Sequence, residues 1–311
     1  MGTTADKLQY LIDAKNSISA AIEEKGGTVP QELSGYGPAI AALPSGVSNF
    51  TTVQYSNESL SSYYDTTEIA TLTNSQIGAL SAIQSMKTGK GVTKIDTSFF
   101  QPASGTNTAL RSFDCNELTS IGGYAFYTCA NLSSIVLNDG LKEIGAQTFR
   151  DCVRLLEIAI PNSVSSIGDG AFRGCSGLSS VTIPNSMTVG GNQMFYACNN
   201  ISSVTIPEGV TSIGYGVFFG CEKLESVSLP STLTSIGSSS FEQCYRLVAL
   251  TIPSTLTTVG TNQFRNMGLS TNLPTVTFSE RTMAQVQAMS YYPWGARTGT
   301  QFACTDGTIT V

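Results

Sequence analysis

Cysteine is the residue type best able to carry out chemistry in this 311-residue sequence, because the sequence contains no histidine. Six of its eight cysteines recur every 23 residues, at Cys129, Cys152, Cys175, Cys198, Cys221 and Cys244. Thiolates can bind zinc, form disulfides or act as nucleophiles. Zinc is disfavoured without histidine or a C-x-x-C pair, and a disulfide would require neighbouring side chains to turn toward each other. We therefore interpret these cysteines as free, buried thiols that act as small apolar residues.

Phenylalanine keeps the same spacing three residues before each cysteine, and it recurs at Phe126, Phe149, Phe172, Phe195, Phe218, Phe241 and Phe264. A period of this length is typical of one structural unit stacked many times. Each unit contains an alternating run such as Val181-Thr182-Ile183, followed by Pro184, which predicts a short strand with one buried face. We expect one parallel strand per 23-residue coil, with phenylalanine and cysteine columns inside a stack of roughly eight coils.

The repeated pattern L-x-x-V-T-I-P-x-x-V-T-x-I-G-x-x-A-F-x-x-C resembles the BspA-like, or Treponema pallidum-type, leucine-rich repeat over residues 92–279. The resemblance implies an α/β repeat solenoid, a curved stack with a parallel sheet on one side. It also implies a binding scaffold without a family catalytic site. Such repeats are common in surface proteins of gut and oral bacteria, in some protists and in proteins of their phages.

Residues 1–44 are predicted to be helical, with an apolar stripe of Leu8, Leu11, Ile12, Ile18 and Ile22. This segment resembles a short module at the start of many phage tail and baseplate-associated proteins. That resemblance implies docking to other tail proteins or self-assembly, whereas the alternative is a helix that merely covers the end of the solenoid. The sequence lacks a basic region followed by an apolar core, so we expect no export by the usual route if the chain is complete. A trimmed chain would look the same.

Two other segments flank the repeats. Residues 45–91 are interpreted as a linker and N-terminal cap, with a helix over residues 74–85. Residues 280–311 are interpreted as a C-terminal cap, with a helix over residues 279–289 and a hairpin that turns at Asp306-Gly307. The aromatic residues of this cap either cover the last coil or form an exposed ligand platform at the tip, made of Tyr291, Tyr292 and Trp294.

Composition excludes several functions. Charged residues make up 12% of the chain and its net charge is −6, so the basic surface that nucleic acid requires is missing. No run of about 18 apolar residues exists, so we expect no membrane insertion. We expect no enzyme and no cofactor, because histidine, nucleophile elbows, phosphate-binding loops and paired carboxylates are all absent.

The residue after each repeated phenylalanine is the strongest candidate for binding. Because the phenylalanine points inward, its successor is expected to face outward, and large aromatic and arginine side chains supply most of the binding energy at interfaces. We call this column the strip: Tyr127, Arg150, Arg173, Tyr196, Phe219, Glu242 and Arg265, bordered by Tyr245 and Arg246. The alternative is a column of variable, solvent-facing turn residues. A hydroxyl-rich column on the outer strand face fits an ordinary exposed strand.

These features lead to a non-enzymatic binding protein. Our main hypothesis is a phage tail-associated, receptor-binding virion protein, made in the host cytoplasm, whose repeats contact a protein or glycan of the bacterial surface. The first alternative is a BspA-like adhesin on a bacterial cell surface that binds host protein or glycan. The second is a structural virion protein that decorates the particle without binding a receptor.

Overall fold

The computed structural model describes residues 50–55, 61–65, 71–72, 83–89, 91–102, 105–186, 191–268, 273–290 and 292–311. These residues form a parallel β-solenoid of about nine coils, which confirms the predicted repeat architecture. The apolar stripe predicted within residues 1–44 lies outside the described residues.

Most coils contribute two short strands, where we had predicted one. The longer strands are β1 (Phe50–Tyr55), β2 (Ser61–Asp65), β4 (Ile83–Lys87), β6 (Ser112–Asp114), β8 (Ser134–Val136), β10 (Glu157–Ala159), β12 (Ser180–Thr182), β13 (Ser203–Thr205), β15 (Ser226–Ser228), β17 (Ala249–Ile252), β19 (Thr275–Phe278), β20 (Gln301–Cys304) and β21 (Gly307–Thr310). The two-residue strands are β3 (Thr71–Leu72), β5 (Lys94–Ile95), β7 (Ser120–Ile121), β9 (Glu143–Ile144), β11 (Ser166–Ile167), β14 (Ser212–Ile213), β16 (Ser235–Ile236) and β18 (Thr258–Val259). The second series was missed because alternation cannot be recognised over two residues.

Strand pairing follows the repeat. Val204 lies opposite Val227 and Ile213 lies opposite Ile236, so each residue pairs with its equivalent one coil later. Every coil runs in the same direction, and the strands are therefore parallel. The shorter strands form two sheets, β11-β9-β7-β5-β3 and β14-β16-β18. The longer strands form four, β2-β1-β4-β6-β8, β10-β12, β13-β15 and β17-β19-β20-β21.

The N-terminal end of the solenoid is built of strands. Strand β1 pairs antiparallel with both β2 and β4, while β4 pairs parallel with β6, placing Met86 opposite Phe113. The helix predicted over residues 74–85 is wrong for residues 83–85, which belong to β4; the other residues of that helix lie outside the described part. Ile83 and Met86 are buried, so pairing with the first regular coil determines the backbone there. The parallel ladder thus begins before residue 92.

The coils turn at each phenylalanine through left-handed backbone. Gln193 and Ala197, two residues before and after Phe195, have φ angles of 54° and 57°. Their N–H groups, and that of Phe195, donate to carbonyl groups of the next coil at 2.7–2.9 Å. Left-handed residues cannot belong to an α-helix, and among the described residues helix is confined to α1 (Met283–Gln287). The α/β expectation therefore needs correction, because strands and turns make up nearly all of the described chain.

The core is a set of columns along the stack. Phenylalanine rings of successive coils stack with centroids 5.2–5.8 Å apart from Phe126 to Phe241. The rings are tilted by no more than 14° from one another. They are fully buried, as are the six periodic cysteines. The phenylalanine and cysteine columns predicted from the spacing are thus confirmed.

The last coil is covered by residues of the C-terminal segment. Strand β20 extends the sheet parallel to β19, and β21 pairs antiparallel with β20. Helix α1 is shorter than the helix predicted over residues 279–289; it begins after a capping box formed by Thr282 and Gln285. The N–H of Phe264 donates to the carbonyl of Trp294 at 3.2 Å, as it would to a further coil. The indole ring also stacks on Phe278, so Trp294 caps the end of the phenylalanine column.

Candidate functional site

The thiols are unsuited to nucleophilic chemistry. All eight cysteines lie within the described residues and are free, and only Cys304 is even partly exposed. Burial raises the pKa of the Cys175 and Cys221 thiols to about 12, and it raises the pKa of the other periodic cysteines as well. A thiol with so high a pKa stays protonated at neutral pH, whereas the nucleophile and metal ligand is the thiolate.

Five of the buried thiols also satisfy a backbone acceptor of the preceding coil. The Sγ of Cys198 donates to the carbonyl oxygen of Phe172 in the preceding coil, at 3.1 Å. The same bond recurs from Cys152, Cys175, Cys221 and Cys244 at 3.0–3.3 Å. Buried carbonyl groups are costly to leave without a partner. Cysteine therefore fills a small apolar space and also satisfies a backbone acceptor that alanine would leave unpaired.

The described part of the chain contains no clustered metal-binding site. No group of three or more histidine, cysteine, aspartate or glutamate side chains converges there to hold a metal ion. Among the same residues, no helix has the length and apolar character needed to cross a bilayer.

The strip forms two aromatic and cationic groups on consecutive coils. The guanidinium of Arg150 lies 5.4 Å from the ring centre of Tyr127. Farther along, the guanidinium of Arg173 lies 4.3 Å from the ring centre of Tyr196. The Tyr196 ring stacks on Phe219 at 4.6 Å with an interplanar angle of 3°. All five side chains are half-buried, so the strip is a packed ridge of side chains in contact.

Glutamine side chains hold the two arginines in place. Nη1 of Arg150 donates to Oε1 of Gln147, and Nη1 of Arg173 donates to Oε1 of Gln193, both at 2.7 Å. Nε2 of Gln147 in turn donates to the hydroxyl of Tyr124 at 3.0 Å. Our sequence interpretation missed these three residues. Their signal is present, since they recur two residues before each phenylalanine in a column that also contains Gly170 and Gly216.

The far end of the strip departs from the prediction. Glu242 is 5% exposed, although we had expected this column to face outward. Arg265 covers it, with Nη1 of Arg265 lying 3.4 Å from Oε1 of Glu242. Arg246 forms an ion pair with Glu225 at 3.0 Å. Among the described residues, no ring contact, hydrogen bond or ion pair joins Tyr245 or Arg246 to the strip.

The proposed tip platform is not supported. Trp294 is 1% exposed, and its ring contacts Phe264, Phe278 and Phe302 within the cap. Tyr292 is half-buried against Trp294, and Tyr291 lies outside the described residues. Trp294 is drawn inward because the last coil exposes apolar rings and an N–H group that need covering.

Comparisons with known proteins agree with this architecture. A model of the BspA-type leucine-rich repeat region matches six copies over residues 104–218 and 191–292, more than half of the chain. A solved leucine-rich repeat protein from Bacteroides ovatus ATCC 8483 is 25% identical, with a TM-score of 0.57. The match covers 73% of this chain and 61% of that protein, so this chain spans less than two thirds of its length.

Further comparisons are weaker. The T. pallidum leucine-rich repeat protein is 24% identical with a TM-score of 0.48, over 59% of this chain and 81% of that one. A leucine-rich repeat protein from Eubacterium ventriosum ATCC 27560 is 17% identical with a TM-score of 0.47, over 72% of this chain and 68% of that one. A comparison with curated proteins gave no match. The repeated sequence pattern, the stacked coils and the family match together show that the chain belongs to the BspA-type leucine-rich repeat family.

Proposed function

We propose that this chain is a non-enzymatic adhesion protein of a bacterial cell surface, and that its repeats bind a protein of the host. Two observations support the proposal: the chain belongs to the BspA-type family, and its periodic cysteines are buried, which raises their pKa. The observation that carries it is the strip, in which Arg173, Tyr196 and Phe219 form one continuous ridge over three coils.

The geometry of this ridge suits a protein partner. The ring of Tyr196 is covered on one face by Arg173 and on the other by Phe219, so the ring edges are left for a ligand. A sugar ring would need a free aromatic face for stacking, whereas a protein surface can pack against edges. Ordering of Arg173 by Gln193 also lowers the entropy that binding costs. Arginine and tyrosine are the residue types that dominate interface energetics.

The comparisons favour the adhesin over the phage tail hypothesis. The family match is to a BspA-type repeat region and the solved structure with a TM-score of 0.57 is a protein of Bacteroides ovatus, and neither supports a tail role. The segment on which the tail hypothesis depended, residues 1–44, lies outside the described residues. Docking of that segment to other proteins or to itself therefore stays a prediction, as does placement of the protein on a virion.

Binding of fluorescently labelled protein to cultured epithelial cells, measured by flow cytometry, tests the proposal. We expect the wild-type protein to bind, and the double variant Tyr196→Ala/Phe219→Ala to lose most of that binding. The matched control is Thr205→Ala/Ser228→Ala, which changes two exposed strand residues of neighbouring coils. Circular dichroism and melting temperatures establish that all three proteins are folded.

The outcomes separate the candidate functions. Binding to epithelial cells that depends on the strip supports the adhesin. Binding to bacterial cells but not to epithelial cells would favour the phage protein instead. Equal loss in the strip variant and the strand control would contradict the role of the strip, and no binding to either cell type would overturn the proposal.

A further inference from the structure

A groove opens on the outer face of the longer strands, away from the strip. It has a volume of ≈ 340 Å³ and is lined by β8, β10 and β12. Small ligands usually occupy concave sites of this size or larger. Its apolar lining includes Ile135 and Ile158. Its polar lining consists of four hydroxyl groups and one carboxylate, from Ser133, Ser134, Ser180, Thr182 and Glu157.

The groove coincides with an interruption of the sheet. Strand β8 is the last strand of one sheet and β10 is the first of the next, and no strand pairing among the described residues joins them. On either side the ladder is regular, since β6 pairs with β8 and β10 pairs with β12. The same kind of interruption separates β12 from β13 and β15 from β17, so the groove is distinguished from those places by its side chains.

The side chains at the groove depart from the repeat. Glu157 occupies a position that is serine in the other three-residue strands from β6 to β15. Leu156 likewise replaces a serine found as Ser133, Ser179 and Ser202, and Val136 replaces a hydroxyl found as Thr182, Thr205 and Ser228. Leu156 is 59% exposed and Val136 is 55% exposed, so neither contributes to the core. Folding does not require these three changes, because neighbouring coils form the same strands with serine or threonine.

The polar groups of the groove are available to a ligand. Within the described residues, the carboxylate of Glu157 forms no ion pair or hydrogen bond, and the side-chain hydroxyls of Ser134, Ser180 and Thr182 form none either. By contrast, the hydroxyl of Ser133 donates to the carbonyl of Arg111 and that of Ser179 donates to the carbonyl of Leu156. The groove thus offers unused hydrogen-bonding groups, and the exposed side chains of Leu156 and Val136 directly adjoin its lining residues Glu157 and Ile135 in the chain.

We infer that this groove binds a neutral saccharide. A carboxylate and several hydroxyls match the adjacent hydroxyl groups of a sugar, each of which both donates and accepts hydrogen bonds. The apolar C–H face of the sugar packs on Leu156 and Val136. An anionic sugar is repelled by Glu157, whose carboxylate forms no ion pair among the described residues. The inference rests on the proposed function, to which it adds a second contact with the host surface, separate from the strip.

Binding of the full chain to an array of neutral mammalian glycans and their sialylated counterparts tests the inference, with affinities then measured by titration calorimetry. We expect binding to a subset of the neutral glycans and weaker binding when the same glycan carries sialic acid. Glu157→Ser and Leu156→Ser restore the residues of neighbouring coils, so both variants are expected to fold. Each should weaken the affinity about tenfold, the effect of losing one good polar or apolar contact.

Two controls keep the groove and the strip distinguishable. Glu225→Ser makes the same change at an exposed glutamate outside the groove and should leave glycan binding unchanged. The strip variant Tyr196→Ala/Phe219→Ala should also bind the glycan normally, although it loses cell binding. Absence of glycan binding, or equal affinity of wild type and Glu157→Ser, would overturn the inference while leaving the proposed function intact. Binding of a basic peptide that is lost in Glu157→Ser would show that the groove takes a protein ligand instead.

Discussion

The phenylalanine column and the strip are adjacent in the chain and opposite in character. Phe195 is buried between equivalent rings of two neighbouring coils, and the same residue type recurs in every coil. Tyr196, one residue later, is half-buried between an arginine and a phenylalanine, and the residue type at this position changes from coil to coil. The interior repeats because each coil must cover the next in the same way. The exterior is under no such restriction, so it can carry specificity.

The largest effect is expected from removal of one interior phenylalanine ring. We expect Phe195→Ala to lower the free energy of unfolding by about 3–5 kcal/mol, because it leaves a cavity between two stacked rings. Urea unfolding followed by circular dichroism measures the loss. Tyr196→Ala is the matched exterior variant and should cost far less. Equal losses of unfolding free energy in the two variants would show that the phenylalanine column and the strip contribute equally to stability.

Removal of one interior thiol comes next. Cys198→Ala should destabilise the protein by about 2 kcal/mol, because it creates a small cavity and leaves the carbonyl of Phe172 without its donor. Cys304→Ala, at the half-exposed cysteine of the cap, should change stability by less than about 0.5 kcal/mol. The comparison uses the same unfolding measurement. A small effect at Cys198 would mean that the bond to Phe172 is not needed.

The interior thiols also predict a dependence on alkaline pH. Burial raises the pKa of Cys175 from 9.0 to about 12, so the neutral thiol is favoured in the folded state. Its contribution is fully present below pH 9 and is lost as the pH rises toward 12, because the unfolded thiol ionises first. Between pH 8 and pH 10, Cys175→Ala should reduce the fall in unfolding free energy by about 1 kcal/mol. An unchanged pH profile in this variant would contradict the assignment.

The left-handed turn positions allow a reciprocal test. Gly220 and Ala197 are equivalent residues of neighbouring coils, with φ angles of 70° and 57°. A Cβ on Gly220 would meet only ordinary contacts with Ala197, the nearest at 3.8 Å, so the cost of Gly220→Ala is conformational. We expect it to destabilise by about 1 kcal/mol and Ala197→Gly to stabilise by a similar amount. Thermal unfolding of both variants measures the two stability changes. Changes of the same sign would exclude backbone strain as the cause of the stability difference.

The smallest expected effect is on the exterior. Arg173→Ala removes one cation that covers the Tyr196 ring and should cost about 0.5–1 kcal/mol. Arg154→Ala, at an exposed arginine of the preceding coil, provides the control and should be neutral. A double-mutant cycle of Arg173 with Tyr196 isolates their coupling energy. Coupling near zero would show that the ridge is not preorganised.

The interior was predictable and the ends were not. A buried position that recurs every 23 residues has one solution in every coil, so the residues Phe195 and Cys198 were sufficient to predict a column. Trp294 occurs once, and its position between a Tyr-Pro and a glycine suggested exposure as readily as burial. Trp294 turns inward because the N–H of Phe264 has no further coil to bond and donates to the Trp294 carbonyl instead, and because its indole ring covers Phe278. The helix prediction for residues 83–85 was wrong for a similar reason, because pairing of β4 with β6 overrides the helical spacing of their apolar residues.

The strip was predictable in its residues but not in its contacts. Its members were identified because the residue after an inward phenylalanine should face outward, and this was wrong only for Glu242. The stacking of Tyr196 between Arg173 and Phe219 depends on side-chain directions that spacing does not specify. The groove along β8, β10 and β12 was not predicted, because its shape depends on how neighbouring coils lie against each other; the departure of Glu157 from the serine of its column does not by itself specify a groove.

Sequence alone therefore determined the repeat, its family and the identity of the buried columns, because burial restricts which residue types can recur at an inner position. Tertiary structure decided the second series of strands, the left-handed turns, the cap at Trp294 and the grouping of outer side chains into a ridge and a groove. Those features arise where one coil meets the next, at distances set by the hydrogen-bonded stack. They depend on residues 23 positions apart, whose mutual orientation only the folded chain defines.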